Sequence, residues 1–331
     1  EFHPECPDRL RAVLRALDSE DFAELIRETG APQATLDQLC RVHPRNYVEA
    51  ILSIRPDPGE TVQIDGDTAM GHGSAEAALR AAGAAVAAVD AVMLGEVRRA
   101  FCATRPPGHH AEPARPMGFC FFSNAVVAAR HAQAEHGVAR VAIVDFDVHH
   151  GNGSQACVER DASILYASTH QMPLYPGTGD PMERGVGNVF NIGLRAGSDG
   201  AAFREAWEVA LLPAIEAFRP GLVVISAGFD AHARDPLAQL RVREADFAWL
   251  TAALCGVAEA HCGGRVVSLL EGGYDLEALA SSAAAHVRAL MRAGWHPTPH
   301  AACGAPPPDT AARRTAAAAA PPPRRCCGRR R

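Results

Sequence analysis

Asp147-Val148-His149 sets a carboxylate and an imidazole two residues apart on a segment that leaves an apolar run. In extended backbone, side chains at that spacing face the same side, so the two can grip one ion. Asp230, closing another apolar run, can add a third ligand. Two carboxylates and one imidazole form an oxygen-rich, open set that leaves room for water and a carbonyl oxygen, as catalytic zinc requires. His109-His110 follow the stiff Pro106-Pro107-Gly108 bend. Beside a metal, one neutral imidazole can take a proton from water and return it to a leaving group. Each ring then needs an acceptor for its other nitrogen, and Asp145 and Asn152 stand on the Asp147–His149 segment to provide them. Tyr274, after Gly272-Gly273, can donate its hydroxyl to a developing oxyanion.

Taken singly, these residues are equally well read as strand-end Asp residues capping turns, a satisfied histidine, a bare His-His pair and a turn tyrosine. Their convergence gives them weight. Apolar runs at 100–104, 138–146, 164–168, 189–194, 222–226 and 266–270 predict strands; helical patterns span 124–136, 201–218, 244–260 and 276–293. The runs Val141–Val144 and Leu222–Ile225 are apolar on both faces, as strands covered by helices on each side must be. The expected fold is a single doubly wound α/β domain, a mainly parallel central sheet with helices on both faces, whose ligands bind beyond the carboxyl ends of the strands. The polar clusters at 105–110, 145–153, 226–230 and 271–274 all follow such ends.

Read together, Arg105–His110, Gly118–Asn124, Asp145–Gly153, Tyr175–Gly179, Ser226–Asp230 and Leu270–Tyr274 resemble the ordered motifs of the class II histone deacetylases and their bacterial amidohydrolase relatives, of the arginase-deacetylase fold. The resemblance runs from His3 to about Gly294. It implies zinc on Asp147, His149 and Asp230; His110 as general base and acid; His109 as an electrostatic imidazole oriented by Asp145; Asn152 orienting His110; and Tyr274 polarising the acyl carbonyl. Asn152 argues for class II, since class I enzymes carry Asp there. It further implies a narrow channel walled by Phe119 and Tyr175, with Gly118 and Gly272 near the acyl end. A potassium ion is implied at Asp145, Ser168 and Thr169 with the backbone of Asp147 and His149, and a product path at Arg9. The family's first strand precedes the His3 motif, so the domain is expected to lack its extreme N-terminus.

The expected reaction is hydrolysis of an N-acyl amide, with an acylated lysine in a peptide or protein, or a small acylated amine, as partner. An acetylpolyamine deacetylase is the alternative. Polyamine-selective relatives carry Glu where this chain has Leu237, although Glu112 or Glu183 could supply charge. Arginase chemistry is discounted, because Ala231-His232 follow Asp230 and the second metal lacks its ligands. A silent acyl-amine binding protein is the remote third reading.

The 331 residues, 48% hydrophobic, can fill a sizeable core. The alanine-rich stretch 75–100 is broken by Arg80, Asp90, Glu96, Arg98 and Arg99, so no membrane span is expected. No signal peptide is visible, and the ten cysteines form no C-x-x-C pair, which points to a reduced, cytoplasmic setting. The domain is expected over 1–298, with a disordered Ala/Pro/Arg-rich tail at 299–331. That tail carries +6 of a formal −6, which leaves the body at −12; a basic tail can touch nucleic acid, but a solvated extension is the favoured reading, and nucleic acid is not the expected partner. Composition leaves a homo-oligomer open.

Overall fold

The computed structural model describes residues 3–292. The expected domain end at 298 and the tail at 299–331 lie outside the described residues. In chain order the elements are α1 (Pro7–Leu17), α2 (Leu36–Cys40), α3 (Arg45–Ser53), β1 (Thr61–Gln63), β2 (Ala69–Gly71), α4 (Ser74–Met93), β3 (Arg99–Cys102), α5 (Asn124–His136) and β4 (Val141–Asp145). There follow α6 (Asn152–Val158), β5 (Ile164–Gln171), β6 (Val189–Leu194), α7 (Gly200–Ala206), α8 (Leu212–Phe218), β7 (Leu222–Ala227), α9 (Glu244–Cys262), β8 (Val266–Leu270) and α10 (Leu276–Arg292). Among the described residues, no helix is long and apolar enough to cross a membrane.

Six strands form one parallel sheet in the order β3-β8-β7-β4-β5-β6. Side chains alternate across it as the pleat requires. Ala142 and Val144 of β4, with Val223 and Ile225 of β7, pack into a core beside α9 and α10. Their neighbours Val141, Ile143, Leu222 and Val224 pack on the opposite face, against α4 and α5. Both faces are dry, which is why these runs carry no polar residue until their ends.

The chain leaves β4 towards β5 on one side and returns through β7 on the other. The crevice beyond the carboxyl ends of β4 and β7 is thus a switch point, where α/β sheets bind ligands. In register, Asp145 lies opposite Ser226 of β7 and opposite Ser168 of β5.

Several boundaries differ from expectation. β5 continues to Gln171, three residues past the predicted end, because it pairs with β6 over that length. The helix predicted at 201–218 is interrupted by a wide π turn over Trp207–Leu211. Pro213 follows at the start of α8, where its missing N–H cannot complete the regular ladder. Helices α1, α2, α3, α4 and α6 and the β1–β2 hairpin are not among the elements expected from the sequence.

Candidate active site

β4 and β7 deliver the metal-type residues. Asp147 and Asp230 are fully buried and His149 is nearly so. His149 Nδ1 lies 3.1 Å from both Asp147 Oδ1 and Asp230 Oδ2. Backbone amides hold the carboxylates from behind: His149 N donates to Asp147 Oδ1 at 2.9 Å, Gly272 N to Asp147 Oδ2 at 2.8 Å and Val148 N to Asp230 Oδ1 at 2.8 Å. At Gly272 a Cβ would fall 2.1 Å from Asp230 Oδ2, so only glycine lets this strand end press against the carboxylates.

This donor set fits a divalent cation. Burial, then the charge of Asp147, raises Asp230 to about 6. Burial also works against the charged form of Asp147, yet the His109 and His149 imidazoles outweigh it and hold that carboxyl well below its usual range. Burial disfavours the His149 imidazolium, but its bonds to Asp147 and Asp230 prevail and raise it to about 10. The negative field that raises His149 and Asp230 would act equally on a metal ion.

The two adjacent imidazoles have distinct partners. His109 Nδ1 lies 3.0 Å from Asp145 Oδ2, which also accepts from the Tyr166 hydroxyl at 3.0 Å, and His109 Nε2 lies 3.8 Å from Asp147 Oδ2. Burial opposes charge on His109, but Asp147 and Asp145 outweigh it and hold its protonation well above the ordinary range. His110 Nδ1 lies 2.9 Å from Asn152 Oδ1. Burial, then the charges of His109 and His149, keep His110 neutral well below its ordinary pKa. One ring is poised as a cation and its neighbour as a base, a divergence that sorts acid from base roles.

A cavity of about 220 Å³ opens above them, lined by His110, His149, Gly118, Phe119, Tyr175, Leu237 and Tyr274, with Leu174 and Asp67. Tyr175 meets His110 edge-on, ring centroids 5.2 Å apart, and Phe119 approaches Tyr274 at 6.1 Å. Gly118 is required beneath this wall, since a Cβ would sit 2.3 Å from His110 Cδ2. Arg9 is buried outside the cavity. Its guanidinium lies 4.9 Å from the Tyr274 ring centroid and donates to the oxygens of Gly273 at 2.6 Å and Glu271 at 2.5 Å. Ser168 and Thr169 are buried on β5, their hydroxyls paired with His170 Nδ1 at 3.0 Å and Trp207 Nε1 at 3.2 Å.

Sequence reasoning missed three residues, Asp67, Thr68 and Asp235, and gave Glu112 a different role. Asp67 and Thr68, from the β1–β2 hairpin, accept from Gly118 N at 3.1 Å and Phe119 N at 3.0 Å, anchoring the channel wall. Asp235 accepts from Tyr274 N at 2.8 Å. Glu112 accepts from Asn152 Nδ2 at 2.9 Å, so it orients an amide instead of supplying charge to the cavity. Glu183 is likewise engaged, by Gln155 Nε2 at 2.6 Å. No local pattern marks such residues, because each acts on backbone or amides distant in sequence.

Comparison with known proteins bears on the family and the fold. The family model of the histone deacetylase domain matches residues 3–290. The chain is similar to the histone deacetylase-like amidohydrolase of Pseudomonas aeruginosa, 43% identical over 278 residues, covering 82% of this chain and 73% of that protein. It is also similar to the chloroplastic histone deacetylase 14 of Arabidopsis thaliana, 38% identical over 310 residues, covering 88% and 73%. Among solved structures, the HDA15 HD domain superposes with a TM-score of 0.82 at 36% identity, covering 90% of this chain and 84% of that one. The parallel-sheet fold is thus shared with the HDA15 HD domain, and the chain belongs to the histone deacetylase family, as an enzyme of the deacetylase and amidohydrolase class.

Proposed function

We propose that this chain is a zinc-dependent amidohydrolase that removes an acetyl or other short acyl group from an amine nitrogen, with acyl-lysine in a peptide or protein as its substrate. The observation that carries the reading is the orientation of His110. The Asn152 amide nitrogen donates to Glu112, so its oxygen faces His110 Nδ1 and accepts a hydrogen bond from the Nδ1–H. The Nε2 lone pair of His110 is thereby left for the cavity.

Asp147, His149 and Asp230 would hold the zinc, and bound there it would supply Lewis acidity to the acyl carbonyl and lower the pKa of the attacking water. His110 Nε2 takes the proton of that water and delivers it to the amine nitrogen as the C–N bond breaks. The Tyr274 hydroxyl donates to the oxyanion, and cationic His109 stabilises the same charge. Phe119 and Tyr175 fit the methylene stem of a lysine. A potassium ion beside Asp145 is supported by the Asp145–Ser168 register; with both hydroxyls engaged, Ser168 and Thr169 would offer main-chain oxygens. Arg9, buried under Tyr274, suits an acetate path behind the site. A reducing, cytoplasmic setting is supported by seven unpaired cysteines among the described residues.

Asp67 in the cavity lining favours a second reading, deacetylation of an acetylpolyamine, since a carboxylate there attracts a cation. Against it stand the apolar Leu237 in the same lining and the engagement of Glu112 and Glu183. Turnover of an acetyl-lysine peptide and of acetylspermidine decides between them. The proposal expects the peptide to be favoured in kcat/KM, and a strong preference for the polyamine would overturn it.

A further inference from the structure

Glu271 is a carboxylate, 1% exposed, for which the proposed chemistry has no use. It follows the last residue of β8. Its Oε2 accepts from two successive amides, Gly108 N at 2.7 Å and His109 N at 3.2 Å, and its Oε1 accepts from Ser226 Oγ at 2.9 Å. Three donors on one buried carboxylate offset part of the cost of removing it from water, and burial still raises it to about 7. Its backbone is anchored as firmly: Glu271 N donates to Ala227 O at 3.0 Å and Glu271 O accepts from Arg9.

The segment it grips is the bend from which both imidazoles project. That bend cannot move away on its other side, because Gly108 is so tightly packed that a Cβ would lie 2.6 Å from Asn124 N. Downstream, Ser154 N donates to His109 O at 3.0 Å, tying the bend to the helix that carries Asn152. Glu271 is the side-chain acceptor for the amides at the start of this arrangement, and Arg105, preceding the bend, is paired with Glu5.

We propose that Glu271 is a positioning residue whose carboxylate seats the Gly108–His109 backbone, so that the His109 and His110 rings reach Asp145 and Asn152. The inference deepens the deacetylase reading and rests on it for its kinetic consequence. The seat depends on an oxygen at the right reach. Glu271→Gln keeps the reach and one accepting oxygen but removes the charge. Glu271→Asp keeps the charge but falls short by one carbon–carbon bond, about 1.5 Å.

The test compares both variants with the native chain by kcat and KM on an acetyl-lysine peptide, by zinc content, and by amide hydrogen exchange over residues 105–111. Glu271→Gln is expected within about threefold of native kcat. Glu271→Asp is expected to lose about tenfold or more in kcat with KM within about twofold, since displacements near 1 Å at reacting groups are that costly. Its zinc content stays native, and exchange quickens at 105–111 alone. Loss in the Gln variant with a native-like Asp variant would assign the effect to charge and overturn the proposal. Native rates and native exchange in both would also overturn it, as would an Asp variant that loses zinc or exchanges faster throughout the sheet. If the native chain releases no acetate, the deacetylase reading fails, while the exchange comparison still decides the seat.

Discussion

His110 Nδ1 lies 2.9 Å from Asn152 Oδ1, and the other end of that amide lies 2.9 Å from Glu112 Oε1. The carboxylate can only accept, so the amide nitrogen faces it and the amide oxygen faces His110. A residue outside the cavity thus decides which nitrogen of the base is free. Asn152→Leu is expected to lower kcat by roughly 10–100-fold, the usual cost of removing a partner that orients a catalytic imidazole. KM and zinc content should stay near native. A native kcat would show that His110 needs no such partner.

Tyr274 reaches the cavity from a loop held by Asp235 and by Arg9. Tyr274→Phe should retain fold and metal and lower kcat by roughly a hundredfold or more, as loss of one oxyanion donor does. An unchanged rate would remove its hydroxyl from the reaction.

Gly118 has φ of +57 and the His110 ring directly against it. Gly118→Ala adds a methyl group where none fits, so His110 or the wall must shift. The expected outcome is a loss of activity far larger than any loss of thermal stability, measured by turnover and by melting temperature. Equal, small effects on both would mean that the wall yields freely.

His286 is buried on α10, its Nδ1 2.7 Å from Thr251 Oγ1 and its Nε2 2.8 Å from Ser268 Oγ. Burial lowers it from 6.5 to about 3. The unfolded chain therefore binds a proton that the folded chain refuses. Stability is unaffected above pH 6.5 and falls as pH drops from 6.5 towards 3. The contribution of this ring is about 2 kcal/mol between pH 7 and pH 5. Denaturant melts at those two pH values should show His286→Gln with a pH dependence smaller by about that amount. An unchanged difference would mean that His286 takes up its proton in the folded state.

The sheet was legible because its strands are apolar on both faces and change character abruptly at their carboxyl ends: Val144 gives way to Asp145, and Leu270 to Glu271. The same change marked the site residues. The N-terminal third was not legible, for physical reasons. Thr61–Gln63 is exposed throughout and carries no alternation, so its hairpin is fixed by pairing with Ala69–Gly71 rather than by its own pattern. α4 is so rich in alanine that helix and buried strand are hard to tell apart by hydrophobicity. Asp67, Thr68 and Glu112 act through hydrogen bonds to groups 40 to 51 residues away, which only the folded chain brings within reach.

The central claim is that Asp147, His149 and Asp230 hold a zinc ion that serves amide hydrolysis at His110 and Tyr274. Its most direct measurement is zinc content together with acetate release from an acetyl-lysine peptide, before and after treatment with a chelator and again after zinc is restored. The account predicts one zinc per chain, release that disappears with the metal and returns with it, and neither in Asp230→Ala. Acetate release that persists in the metal-free protein, or stoichiometric zinc retained by Asp230→Ala, would contradict it.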